Sequence, residues 1–122
     1  MENKIIYAED ERTSSEDLLE FFKEEFPSCE IVFVEDGSSL EKILRQGGLT
    51  NKDMVITDDG MPGKLGSEII KDNYDIIKNI PTLMYYAGDK DIGEEAMKHG
   101  AKGYFLKPHF DSLIEEMKKY LE

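Results

Sequence analysis

Short apolar stretches alternate with segments of helical periodicity five times along the chain. The apolar stretches are rich in Ile, Val, Tyr and Phe, a composition typical of strands buried in a parallel sheet. They predict strands over residues 4–8, 30–35, 54–58, 81–87 and 103–107. Strands that alternate with helices in this way favour an α/β fold with crossover helices.

The segments between and after the strands predict five helices. The first begins near Thr13 or Ser14, because Thr13 and Glu16 have the spacing of a capping box, and it ends before Pro27. Its apolar stripe consists of Leu18, Leu19, Phe22 and Phe26. Further helices are predicted over 38–46, 66–78 and 91–99, and the last one begins at Asp111.

Five βα units in 122 residues predict an open, doubly wound, five-stranded parallel sheet with helices on both faces, the flavodoxin-like (βα)5 architecture. The expected strand order is 2-1-3-4-5. Ligands of such sheets bind beyond the carboxyl ends of the strands, at the switch point between strands 1 and 3. The length is that of one compact domain, so we expect a single domain over residues 1–122.

Charge and composition narrow the possible functions. The chain has 27 acidic and 15 basic residues and a net charge of -12, which repels phosphate backbones and anionic membranes. We therefore expect no direct binding to nucleic acid or membrane. No apolar run approaches the roughly 20 residues of a membrane-spanning helix, and no leader-like segment opens the chain. The single Cys29 cannot form an intramolecular disulfide, so we expect a cytoplasmic location.

Acidic residues stand at the ends of strands 1 and 3. Glu9 and Asp10 follow strand 1, and Asp58 and Asp59 stand at the end of strand 3, so three or four carboxylates should converge at the switch point. Neighbouring carboxylates repel one another, which predicts a bound cation, and ligation by oxygen alone favours Mg²⁺. Strand alternation directs Asp59 away from this cluster, so we expect it to have an indirect role or to lie on the surface.

Strand 5 ends in Lys107 and Pro108, which brings an ammonium group to the same edge of the sheet. Carboxylates, a divalent cation and a lysine together can neutralise a phosphoryl group during its transfer. The sequence therefore predicts phosphoryl chemistry at this edge.

Three segments resemble the motifs of response-regulator receiver domains, the phosphoacceptor proteins of two-component signalling. They are IIYAED at residues 5–10, MVITDDGMPG at 54–63 and GAKGYFLKP at 100–108. The resemblance covers essentially the whole chain, which is similar to single-domain receivers of the chemotaxis-regulator type. It implies a signalling protein that catalyses only its own phosphorylation and dephosphorylation.

The resemblance also implies a role for each matching residue. Asp58 would be the phosphoacceptor, and Lys107 would pair with the phosphoryl oxygens. Asp10 and Asp58 would bind Mg²⁺ directly, Glu9 would act largely through water, and the Gly60 carbonyl would complete the protein ligands. The phosphodonor would be a histidine kinase, a phosphotransfer protein or a small molecule such as acetyl phosphate. Output would pass to a downstream protein through the face of helix 4, strand 5 and helix 5, and the Lys107–Pro108 peptide would be cis.

Strand 4 departs from the family pattern. Most receivers have Ser or Thr at its end, followed by Ala, and that hydroxyl moves to bond the phosphoryl group, whereas this chain has Tyr86 before Ala87. A phenol oxygen lies farther from the backbone and cannot make the same short movement. Tyr104 matches the aromatic residue that turns inward in the family. Either the Tyr86 ring fills the space beside the site and holds Tyr104 in one position, or Tyr86 packs in the strand with its hydroxyl in solvent.

Other functions are weighed against a working receiver. A pseudo-receiver that binds partners constitutively would keep the fold and the acids, and Tyr86 favours it. A haloacid-dehalogenase-like phosphatase with Asp58 as its nucleophile is disfavoured, because the Asp-x-Asp pattern and the further motifs of that family are missing. A flavodoxin is also disfavoured, since the acidic residues 9–11 after strand 1 would repel a flavin phosphate.

Overall fold

The computed structural model describes residues 3–121, without the side chains of residues 12–14. The strands are β1 (Lys4–Ala8), β2 (Glu30–Val34), β3 (Met54–Thr57), β4 (Thr82–Tyr86) and β5 (Gly103–Leu106). The helices are α1 (Arg12–Glu25), α2 (Gly37–Gln46), α3 (Gly66–Asp72), α4 (Tyr74–Ile77), α5 (Lys90–Lys98) and α6 (Asp111–Leu121). Within residues 3–121, no helix has both the length and the apolar character needed to cross a bilayer.

The five strands form one parallel sheet in the order β2-β1-β3-β4-β5, which confirms the predicted fold class and strand order. β1 pairs in register with β2 on one side and β3 on the other, with Ala8 opposite Val34 and Thr57. All strands are parallel, but the order in which the chain adds them to the sheet reverses between β1 and β3. This is the switch point at which ligands of such sheets bind.

Alternate strand residues build two cores on opposite faces of the sheet. Ile5 and Tyr7 of β1 pack with α1 and α6, whereas Ile6 and Ala8 pack with the layer of α2 to α5. All four are at most 1% exposed. Since burying one large apolar side chain contributes about 1.5–3 kcal/mol, the sheet holds both helical layers firmly.

Two predicted helices differ from the structure. α1 begins at Arg12 with Glu11 as its N-cap, so the capping box predicted on Thr13 is wrong; the Thr13 side chain lies outside the described residues. The helix predicted over 66–78 divides at Asn73 into α3 and α4. The buried Asn73 amide donates hydrogen bonds to the Ile69 carbonyl and to Glu41, and such side-chain bonds compete with regular helical geometry.

Candidate functional site

Three carboxylates meet at the carboxyl edge of the sheet. Glu9 and Asp10 follow β1, and Asp58 follows β3, where its backbone N–H donates to the Ala8 carbonyl at 2.9 Å. One carboxylate oxygen from each of the three acids lies within 4.8 Å of the other two. Glu9 and Asp58 are buried, whereas Asp10 is exposed. The structure thus brings the predicted acids together where parallel strand ends converge.

Lys107 reaches this cluster from the end of β5. Its Nζ forms an ion pair with Glu9 and lies 3.1 Å from Asp58 Oδ2. Burial disfavours the ammonium, but the two acids outweigh burial and raise the pKa of Lys107. The same Nζ lies 5.7 Å from the centroid of the Tyr85 ring, and the Lys107–Pro108 peptide is cis, as expected. Lys107 is therefore a fixed cation beside Asp58.

Burial also disfavours the charged form of Glu9, and for a carboxyl group this raises the pKa. Desolvation raises the pKa of Glu9 to about 7, a hydrogen bond to Asp58 adds to the rise, and the hydrogen bond to Lys107 opposes it. Glu9 is 1% exposed, so little water stabilises its charge. A second positive charge in the cleft would favour the ionised form, because an opposite charge lowers the pKa of a carboxyl group.

The acids line a cleft of about 270 Å³ with the Gly60 backbone and Lys107 on its walls. Gly60 is exposed, and a Cβ at this position would meet no atom within 4 Å. Carboxylate oxygens, a nearby carbonyl and space for water form the donor set that suits Mg²⁺, which keeps several waters and few protein ligands. The residues present therefore fit a magnesium ion.

Asp59 has a structural role rather than a surface one. It is 9% exposed, and its Oδ1 accepts a hydrogen bond from the Ser67 N–H at 2.9 Å, which caps the first turn of α3. The Asp59 carbonyl also accepts from the Gly66 N–H at 2.9 Å. A Cβ at Gly66 would lie 2.0 Å from the Asp58 carbonyl oxygen, so α3 begins directly against the backbone of Asp58.

The Tyr86 side chain enters the first turn of α5. Its hydroxyl donates to the Asp89 carbonyl at 2.5 Å and accepts from the Gly93 N–H at 2.9 Å. A regular α-helix pairs these two backbone groups directly, so the hydroxyl is inserted between them. Tyr86 is fully buried, and burial raises the pKa of its hydroxyl. We call this arrangement the Tyr86 bridge; the interpretation that its hydroxyl reaches solvent is wrong.

Tyr104 packs on the backbone of α5 at Gly93. A Cβ at Gly93 would lie 2.1 Å from Tyr104 Cγ, so only glycine allows this contact. The rings of Tyr86 and Tyr104 are tilted, with centroids 6.5 Å apart. Sequence reasoning missed Gly93, although a glycine three residues before Ala96 on the inner face of a helix is a sign of close packing.

The sheet order and the carboxylate–lysine cleft define a doubly wound α/β domain with a charged cleft at its switch point. The family model described as "Response regulator receiver domain" matches residues 5–118. The chain therefore belongs to the receiver-domain family of response regulators, which are signalling proteins of two-component systems.

Solved structures with the same fold include several receivers. The response regulator TrrA from Thermotoga maritima, solved in complex with Mg²⁺ and BeF, is 28% identical, with a TM-score of 0.80 over 98% of this chain and 99% of that one. A receiver domain protein from Clostridium thermocellum is 23% identical, with a TM-score of 0.81 over 98% and 94% of the two chains.

A Saccharomyces cerevisiae receiver domain, co-crystallised with a histidine phosphotransfer protein, is 17% identical. It has a TM-score of 0.80 over 98% of this chain and 88% of that chain. A search of curated protein sequences found no significant match.

Proposed function

We propose that this receiver accepts a phosphoryl group on Asp58 and answers by changing its protein contacts. One observation carries the proposal: Asp58 lies at the switch point between Asp10, Glu9 and the Lys107 ammonium, in an open cleft. The 28% identical TrrA, solved with Mg²⁺ and BeF, supports it. The Tyr86 bridge distinguishes this chain from receivers that have a small hydroxyl residue at that position.

Glu9, Asp10, Asp58 and the Gly60 carbonyl would hold Mg²⁺, which supplies positive charge that neutralises phosphoryl oxygens. An Asp58 carboxylate oxygen attacks phosphorus, forming a P–O bond, while the bond to the donor breaks. The leaving group, imidazole or acetate, keeps the electron pair of that bond. Lys107 lies 3.1 Å from Asp58 Oδ2 and pairs with the transferred oxygens, so its positive charge neutralises part of their negative charge.

The phosphodonor in this proposal is a histidine kinase or a phosphotransfer protein. The yeast receiver domain co-crystallised with such a phosphotransfer protein supports this class of partner. Output passes to a downstream protein through the face of α5, β5 and α6, next to Tyr104. We place these exchanges in the cytoplasm, and we propose that residues 1–122 belong to one receiver domain.

The Tyr86 bridge favours a second candidate, a pseudo-receiver with constitutive contacts. The hydroxyl is already bonded to Asp89 and Gly93, and its ring is fully buried, so Tyr86 cannot swing toward Asp58 without losing both hydrogen bonds. Tyr104 is packed on Gly93 at the same time. Such a protein would bind its partner whatever the state of Asp58.

Incubation with Mg²⁺ and acetyl phosphate, followed by intact mass measurement, tests the proposal. We expect an adduct of one phosphoryl group that Asp58→Asn abolishes. Backbone amide spectra with beryllium fluoride then distinguish the candidates: shifts that reach Tyr104 support the switch, and shifts confined to the cleft support the pseudo-receiver. An unmodified wild-type protein would contradict phosphorylation at Asp58.

A further inference from the structure

Residues 60–65 join the acceptor end of β3 to α3, and they lie on the start of α2. We call them the acceptor loop. The Gly37 N–H of α2 donates to the Pro62 carbonyl at 3.0 Å, and a Cβ at Gly37 would lie 2.0 Å from the Lys64 carbonyl oxygen. Gly63 has φ +86° and lies against Ser38. Loop and helix thus meet backbone to backbone.

Lys64 is the charged side chain that ties this loop to its surroundings. Its Nζ lies 2.8 Å from Glu41 Oε2 on α2 and 2.7 Å from Asp72 Oδ2 on α3. The buried Asn73 amide donates to the same Glu41 oxygen at 2.8 Å, and Arg45 lies 3.5 Å from it. Hydrogen bonds from Lys64 and Asn73 lower the pKa of Glu41, which agrees with a well-held carboxylate.

The anchored loop forms one wall of the cleft. Gly60 stands at its first position, two residues after Asp58, and lines the cleft with the acids. Gly60 is exposed and has no side chain, so its position depends on how the residues on either side of it are held. The buried Met61 packs in the core, and Lys64 connects the far end of the loop to two helices.

We propose that Lys64 is a positioning residue for the magnesium site: its ion pairs with Glu41 and Asp72 hold the acceptor loop on α2 and so keep the Gly60 carbonyl at the cleft. This inference rests on the proposed function, because it concerns the ligand that the acids of that function would bind. Lys64 is not one of the residues that line the cleft.

Lys64→Met tests the inference, because methionine keeps the apolar stem and removes the charge. The affinity for Mg²⁺ is measured from amide shifts during titration with the metal alone. The loop contact is measured from hydrogen exchange of the Gly37 amide in metal-free buffer, since this N–H bonds Pro62. We expect about a threefold to tenfold weaker affinity for Mg²⁺ and a similar acceleration of Gly37 exchange, in line with the loss of two partly exposed ion pairs.

Lys118→Met is the matched control. Lys118 also lies between two acids, with Nζ 3.8 Å from Glu25 and 4.0 Å from Glu115, and its side chain is 34% exposed against 27% for Lys64. The control removes the same charge on α6, outside the lining of the cleft, and should leave both readouts unchanged. Lys64→Arg, which keeps the charge, should restore both values to near wild type.

The outcomes separate this inference from the proposed function. If the wild type binds Mg²⁺ and the Lys64→Met variant binds it equally well, the positioning role of Lys64 is overturned. The proposed function is not affected by that result. A general loss of stability without faster Gly37 exchange would also overturn it. Wild type that fails to bind Mg²⁺ at all would overturn the magnesium site and, with it, this inference.

Discussion

Removal of the Tyr86 hydroxyl is a direct test of the bridge between β4 and α5. Tyr86→Phe keeps the buried ring and deletes only the oxygen that bonds Asp89 and Gly93. Each neutral hydrogen bond contributes about 1 kcal/mol to stability. If the Asp89 carbonyl and the Gly93 N–H then pair directly, one bond is recovered. The expected loss in free energy of unfolding is therefore about 1–2 kcal/mol.

Urea denaturation measures this loss, and hydrogen exchange of the Gly93 amide locates it. A loss of this size lowers the melting temperature by about 4–8 °C in a domain of this length. The matched control is Tyr74→Phe, because Tyr74 is 47% exposed and its loss of a hydroxyl should change stability by less than about 0.5 kcal/mol. An unchanged urea midpoint with unchanged Gly93 exchange in Tyr86→Phe would refute the reasoning.

Three further predictions concern the packing of α5 and the cleft. Gly93→Ala should destabilise the protein by about 1–3 kcal/mol despite the better helix propensity of alanine, because its Cβ would meet the Tyr104 ring; urea denaturation showing a gain in stability would contradict this. Mg²⁺ at ten times its dissociation constant should stabilise the wild type by about 1.4 kcal/mol, and Asp10→Asn should reduce this gain; equal gains in thermal melts would count against Asp10 as a ligand. Gly60→Gln should lengthen the lifetime of phosphorylated Asp58, because a bulky polar side chain fits the open wall of the cleft and shields the phosphoryl group; a dephosphorylation time course with an unchanged lifetime would reject this.

Local patterns in the sequence account for most of the fold. Buried apolar strands and helical periodicity act over a few residues, so the five strands and their order were predicted, with strand ends within one residue of the structure. The break at Asn73 was not predicted. At this position the Asn73 side chain bonds Glu41, 32 residues earlier in the chain, and no local pattern predicts such a contact.

In the candidate site, too, some features could be predicted from the sequence and others could not. Glu9, Asp10, Asp58 and Lys107 follow strands, and parallel strand ends converge at one edge, so their proximity could be predicted. The destination of the Tyr86 hydroxyl could not. It depends on how closely α5 approaches the sheet, which packing across several elements determines.

The Tyr86 bridge affects how often the unphosphorylated protein adopts the active conformation. If activation releases the hydroxyl from Asp89 and Gly93, the unphosphorylated protein must lose both hydrogen bonds to reach the active conformation. Because the freed Asp89 carbonyl and Gly93 N–H can pair directly, the difference is about 1–2 kcal/mol, which corresponds to a roughly 5- to 30-fold smaller population of that conformation. The bridge would therefore keep the signal of the unphosphorylated protein low. Tyr86→Phe would raise this basal signal before any phosphodonor is present.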